Sequence, residues 1–256
     1  MRRRWSWEPL LLPLGAAGVA LAAWHLAVRA TGTTVFPSPV AVARAIVALA
    51  RRGVLGAYVA DSLLRVGAGY GLALALGLPL GMAMGWYPAL GRALNPVVQV
   101  LRPISPLAWI PVAIVVFGIG GVATAFLIFL AAVFPITVAA MNGVRNVPAM
   151  YVQAGRNFGL PAPALLRRVV LPAALPQVLV GLRIALGVAW LVVVAAEMVA
   201  VDSGLGYLVM DARNAGKRYD LVVAAMVMIG VIGLVLDLGA RRIERLRPVR
   251  WGFQVP

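Results

Sequence analysis

Five stretches of this sequence, Pro9–Val28, Leu64–Trp86, Val122–Met141, Pro176–Val199 and Leu221–Leu238, are each about twenty residues long and carry almost no charge. An α-helix of that length crosses the roughly 30 Å of a bilayer's hydrocarbon, with every backbone hydrogen bond made inside the segment. Composition agrees: 62% of residues are hydrophobic and 12% charged, against about 25% charged in a soluble domain. A soluble core of this size cannot hide that excess. The expected fold is an all-α polytopic membrane protein of about six transmembrane helices.

The sixth span is the irregular one. From Arg102 the sequence reads RPISPLAWIPVAIVVFGIGG, interrupted by Pro103, Pro106 and Pro111 and closed by Gly120–Gly121. Its apolar part, Leu107–Ile119, is too short for a straight crossing. Broken backbone at membrane depth is tolerated only against protein or a cavity, so Ser105, Trp109 and Pro111 are candidates for a translocation pathway, with a purely structural kink as the alternative. In the second span, Gly67 and Gly71, and Gly77, Gly81 and Gly85, recur every fourth residue. That spacing lets a neighbouring helix approach closely. Phe36–Pro39 forms a turn, and Val40–Ala50 suits a short amphipathic helix. Residues 87–106 read as an Arg-bearing connector and 202–220 as a polar loop.

The net charge is +15, and all but one of the 23 basic residues are Arg. In a polytopic chain this reflects cytoplasmic loops obeying the positive-inside rule rather than nucleic-acid binding. Segments 1–8, 87–106, 142–172 and 240–256 hold most of the basic residues, which predicts both termini inside and 142–172 in the cytoplasm. The opening Arg2–Arg4 and the following apolar run read as an uncleaved first span, peripheral to the rest. With no Cys and a single His at position 25, thiol chemistry and histidine-rich sites are excluded.

Charges inside spans are costly and mark pairs or functional sites. Arg183 is expected to pair with Asp237, with Asp237–Arg241 at i,i+4 competing; an oxyanion contact for Arg183 stays open. Glu197, near the outer end of its helix, suits either a gate contact or a snorkelling carboxylate. Trp109 and Trp190 either line the pathway or pack in the interior.

The 142–172 segment carries a resemblance. Gln153-Ala154-Gly155, three residues, Gly159, nine residues, then Val169-Val170-Leu171-Pro172 resembles the Glu-Ala-Ala signature of permease subunits of bacterial ATP-binding-cassette (ABC) importers. Gln153 and Gly155 depart from it. LPAALPQVLVGLRIALGVAWLVVVAAEM from Leu171, SGLGYL from Ser203, and the Phe36–Pro39 turn are similar to the nitrate/sulfonate/taurine branch.

The resemblance implies a MetI-like type I core of five helices plus an N-terminal helix. Residues 1–60 would form the N-terminal unit, 61–245 the permease core and 246–256 a cytoplasmic tail. It also implies a non-catalytic homodimer in the bacterial inner membrane, served by two ATPase subunits that hold ATP and Mg, and by a periplasmic or lipid-anchored substrate-binding protein. This chain would carry no cofactor, and it has no G-x-x-x-x-G-K-[ST] phosphate loop. Residues 153–155, Gly159, Leu165, Leu166, Val169, Leu171 and Pro172 would form the coupling loop. Its apolar stripe would fill a groove on the ATPase while Arg167 and Arg168 stay wet. A self-contained secondary transporter would show two similar halves, and a membrane enzyme would need a catalytic constellation; neither is visible.

Overall fold

The computed structural model describes residues 8–32, 36–214 and 216–244; Arg2–Arg4 and the tail 246–256 lie outside the described residues. Among the described residues the ordered elements are helices: α1 (Glu8–Thr31), α2 (Pro39–Arg51), α3 (Val54–Trp86), α4 (Pro88–Leu101), α5 (Ile110–Phe117) preceded by a 3₁₀ turn (Pro106–Trp109), α6 (Gly121–Arg145), α7 (Ala149–Asn157), α8 (Ala162–Leu165), one π-helical turn (Leu166–Val170), α9 (Leu171–Ala200), α10 (Leu205–Asn214) and α11 (Tyr219–Glu244). Among the described residues five spans are long and apolar enough to cross a membrane, and the bent pair Pro88–Leu101 and Pro106–Phe117 makes six if it is one crossing.

The centre is α3 laid against α6. A Cβ built on Gly69 would lie 2.5 Å from the Ala125 carbonyl oxygen, and one on Gly77 would lie 2.9 Å from that of Val133. On Gly81 it would collide with the Thr137 carbonyl and Ala140, and on Gly85 with Val144. Glycine is required at these positions because the two backbones touch. The packed face is therefore 69–73–77–81–85, with Ala73 fully buried. Gly67 and Gly71, assigned to a packing face by their spacing, have nothing within 4 Å. They lie on the adjacent, exposed face of the helix.

These contacts also set direction. Residue numbers rise together along α3 and α6, so the two helices run parallel. Parallel neighbours need a return crossing between them, and only residues 87–120 are available to make it. Neither α4, at 14 residues, nor the 12 residues from Pro106 to Phe117 reaches 30 Å alone. The two halves meet at 81°, where Pro103 and Pro106 disfavour helix in the residues before them. The connector expected at 87–106 is thus mostly helix α4. Its Leu90, Leu94 and Val98 pack on Met84 and Met141.

Helix α9 runs antiparallel to α6, with Gly143 against Val178 and Gly181 against Ala139. Helix α11 is antiparallel to α9, with the Trp190 indole donating to the Ile229 carbonyl at 3.1 Å. The ends of α3, α6 and α11 and the start of α9 therefore share one face with the α7–α8 hairpin. The opposite face holds α2, the first turns of α3, residues 118–121 and α10.

Two further boundaries differ from expectation, and one agrees. Helix α3 begins ten residues earlier than Leu64 and is about 50 Å long, so its first turns project beyond the hydrocarbon. The 202–220 loop contains α10, whose Leu205, Leu208 and Ala212 form a buried stripe. Helix α2 matches its expected span, with Ser38 accepting from the Ala41 N–H at 3.3 Å and Pro39 in the first turn. The window of α1 shows no buried residue in this chain, and α1 meets the body mainly through α2 and the Trp24–Phe36 ring contact at 5.9 Å.

Overpacking a tight helix contact costs about 1–3 kcal/mol. Gly81→Val should therefore lower the unfolding temperature of the detergent-purified protein clearly, while Gly71→Val, one turn-face away, should leave it within a degree or two of wild type. Equal effects would contradict the assigned packing face.

Candidate functional site

The 142–172 segment folds as a helical hairpin. Helix α7 ends at Asn157, and Gly159 turns the chain with φ +72°. There any residue with a Cβ is strained. The Leu160 N–H donates back to the Gly155 carbonyl at 3.1 Å, closing the turn. Pro161 caps the entry to α8, which passes through the π turn directly into α9.

The apolar stripe of this hairpin points inward, not toward a partner as the sequence reading held. Leu165 and Val170 are buried. Leu165 packs over Gly155, where a Cβ would lie 2.5 Å from its Cδ1, and Val170 joins Val144, Ala174 and Val178 with Leu166 beside it. Val169 also reaches toward Gly155. Glycine in place of the family's alanine at 155 thus makes room for Leu165. Leu171 and Pro172 open α9.

What the hairpin presents outward is a different set. Met150 and Phe158 are 67% and 87% exposed, and Tyr151 and Ala154 are exposed beside them. Positions 150, 151, 154 and 158 follow i, i+1, i+4, i+8, one helical face. This face is hard to read from sequence because its apolar positions are interleaved with Gln153, Arg156 and Asn157 and are less regular than the stripe at 165–170. Arg156, Arg167 and Arg168 border it, all exposed. Gln153 is exposed and lines a hollow of about 380 Å³ with Trp86, Arg145, Val152 and Arg156. Arg145 donates to the Met84 carbonyl at 3.3 Å, tying the end of α6 to the end of α3.

At the opposite face, Glu197 is fully buried. Its carboxylate accepts from Ser62 Oγ at 2.8 Å, Arg65 Nη1 at 2.8 Å and the Gly206 N–H at 3.0 Å. Arg65 also donates to the Ser203 carbonyl at 2.8 Å and to Ser203 Oγ at 2.5 Å, while Ser62 Oγ accepts from the Leu205 N–H at 3.0 Å. Gly204, at φ +102°, lies so close that a Cβ would meet the carboxylate. The SGLGYL stretch is thereby pinned across the ends of α3 and α9. Glu197 neither snorkels nor lines an open passage. Ser62 and Arg65 were not singled out by sequence, because they lie 135 and 132 residues along the chain from it.

At the hairpin face, Arg183 Nε sits 3.3 Å from Glu244 Oε1 and 3.9 Å from Asp237 Oδ1. Asp237 is held more tightly by Arg241, at 2.7 Å. The i,i+4 pair thus takes the shorter contact, and Glu244, not considered as a partner, is the nearer carboxylate for Arg183. Trp190 is buried, its indole reaching the α11 backbone because Gly233 has no side chain: a Cβ there would lie 2.9 Å from Nε1. In the broken segment Ser105 and Pro111 are exposed, and Trp109 packs partly against a cluster containing Ala113, Leu127 and Val192.

Comparison with known proteins places the chain in a family. It belongs to the family described as binding-protein-dependent transport system inner membrane component, which matches residues 75–247. The protein is a membrane-embedded permease subunit of an ABC importer, a class that works with ATPase and substrate-binding partners. Among its relatives, a putative ABC transporter permease of Methanocaldococcus jannaschii is 38% identical over 93% of this chain and 91% of its own. The taurine transport system permease protein TauC of Escherichia coli is 34% identical over 99% and 95%. The nitrate import permease protein NrtB of Synechococcus elongatus is 39% identical over 72% and 66%. An inward-facing structure of the MetNI methionine ABC transporter shares the fold, with TM-score 0.66, 21% identity, and coverage of 76% of this chain and 96% of that one.

Removing one partner of a buried ion pair costs about 3–5 kcal/mol, while a lost neutral hydrogen bond costs about 1 kcal/mol. Glu197→Ala should therefore lower thermal stability several-fold more than Thr31→Ala, whose hydroxyl bonds only its own exposed helix end. Comparable shifts would mean the cluster carries no special weight.

Proposed function

We propose that this chain forms, as a homodimer with two ATPase subunits and an external binding protein, the pathway for a small oxyanion or sulfonate of the nitrate/sulfonate/taurine class. The solute class is supported by the relatives named for taurine and nitrate and by the matching motif stretches. The hairpin face is cytoplasmic in this reading, as its basic border favours, and both termini lie inside. ATP and Mg act on the partner; this chain contributes no catalysis and holds no cofactor.

The observation that carries the coupling role is the exposed Met150–Tyr151–Ala154–Phe158 face on an internally locked hairpin. An exposed Phe flanked by Met and Tyr is the composition of a docking hot spot. Because Leu165 locks the hairpin on itself and Val170 binds it to the end of α6 and the start of α9, a push on Phe158 moves those helices as one body. Their movement against the second copy would alternately open the two faces. The broken crossing at Ser105–Pro111 is the pathway candidate left open in the chain, since Glu197 and Trp190 are sealed and Arg183 faces carboxylates. These residues form the translocation surface in this reading, completed by the second copy.

Two substitutions test the docking role. Phe158→Asp should abolish co-purification of the ATPase encoded with this permease. Gly159→Leu should leave the ATPase bound but reduce uptake by about tenfold or more per ATP hydrolysed, since the turn that aims Phe158 is strained. Normal solute uptake by both variants in proteoliposomes, at unchanged expression, would refute the role.

A further inference from the structure

Helix α2 has two faces, and only one is used by the fold. Val42, Ala45 and Leu49 are buried against the body. The other face sets Val40 and Val47, each 49% exposed, in line with Arg44, Arg51 and Arg52. These residues and two alanines line an open groove of about 630 Å³. Among the described residues, none of the three guanidinium groups has a carboxylate within 4 Å or a hydrogen bond to the protein. Arg29, in the last turn of α1, adds a fourth exposed cation close by in sequence.

The placement is informative. Helix α2 joins the end of the apolar α1 to the first turn of α3 and packs on α11, so it lies where spans leave the hydrocarbon, on the face opposite the hairpin. That face should be poor in basic residues by the positive-inside bias. Arg65 there is consumed by Glu197, but among the described residues Arg44, Arg51 and Arg52 have no such partner. Half-exposed valines beside them add apolar area to the cationic face, and the unburied α1 brings the acyl region alongside. Guanidinium groups match phosphate in two-pronged geometry, and their alkyl stems lie well on hydrocarbon.

We infer that this face of α2 binds an anionic phospholipid, its phosphate held by Arg44, Arg51 and Arg52 and its acyl chains against Val40 and Val47. An amphipathic helix anchored this way at headgroup depth fixes α2 in the membrane plane, and with it the link between α1 and the core. Assignment to the outer leaflet rests on the orientation proposed above; the binding itself does not, and it is measured without the ATPase.

The test is titration of the full-length chain, purified in nonionic detergent, with dioleoyl phosphatidylglycerol, dioleoyl phosphatidylcholine and glycerol 1-phosphate, read by native mass spectrometry. The wild type should prefer phosphatidylglycerol by about tenfold or more over phosphatidylcholine. An Arg44→Gln/Arg51→Gln/Arg52→Gln variant should lose that preference, and Arg213→Gln, exposed on α10 at the same face, should keep it. If the triple variant does not fold, Arg51→Gln alone should reduce the preference about threefold or more. Equal binding of the two lipids, a preference retained by the arginine variants, or competition by glycerol 1-phosphate as strong as by the lipid would overturn the inference. So would an unchanged lipid preference accompanied by loss of binding-protein association, which would assign the face to a protein partner.

Discussion

The contact between α3 and α6 determines most of what surrounds it. Without side chains at Gly69, Gly77, Gly81 and Gly85 the two backbones meet directly, and the order of those contacts makes the helices parallel. A parallel pair joined in sequence obliges residues 87–120 to return across the membrane. The segment does so with a helix, an 81° bend and a short second helix. In lipid, where apolar burial gives helices little reason to associate, such close van der Waals approach is a principal source of cohesion. The break that follows from it supplies the irregular backbone that the proposed passage needs, so cohesion and permeation share one cause.

The two faces of the bundle are closed by different means. On one, a buried ionic cluster around Glu197 gathers α3, α9 and the 203–206 stretch, and its cost is met by at least one hydrogen-bond donor on each carboxylate oxygen. On the other, apolar packing of Leu165 and Val170 locks a hairpin, and the looser pairing of Arg183 with Glu244 and Asp237 sits beside it. Rigid closure at one face and a hairpin carrying an exposed Phe at the other suit a subunit moved from one side.

Much of this was legible in the sequence, and the remainder failed for physical reasons. Apolar length alone located the spans, and Ser38–Pro39 and Gly159 marked helix start and turn by their backbone chemistry. The phase of the glycine face was misread in part, because Gly67 and Gly71 carry the same spacing as Gly77 and Gly81 and only the neighbour tells them apart. The 165–170 stripe was identified but aimed at the wrong partner: periodicity shows that a face is apolar, not which surface covers it. Arg65 escaped notice because it is 132 residues from Glu197, and pairing over that distance is a property of the assembled bundle. Helix α4 was hidden by Pro96 and by Arg92, Asn95 and Gln99, which interrupt its apolar run.

The absence of cysteine from the sequence makes the central claim directly measurable. A single Phe158→Cys substitution, treated with a short thiol-to-amine cross-linker in membranes containing the ATPase, should yield one permease–ATPase adduct whose amount changes when ATP is bound. Arg44→Cys, on the opposite face, should yield none. An adduct from Arg44→Cys, or none from Phe158→Cys in a complex that still transports, would contradict the assignment of the hairpin as the surface on which the ATPase acts.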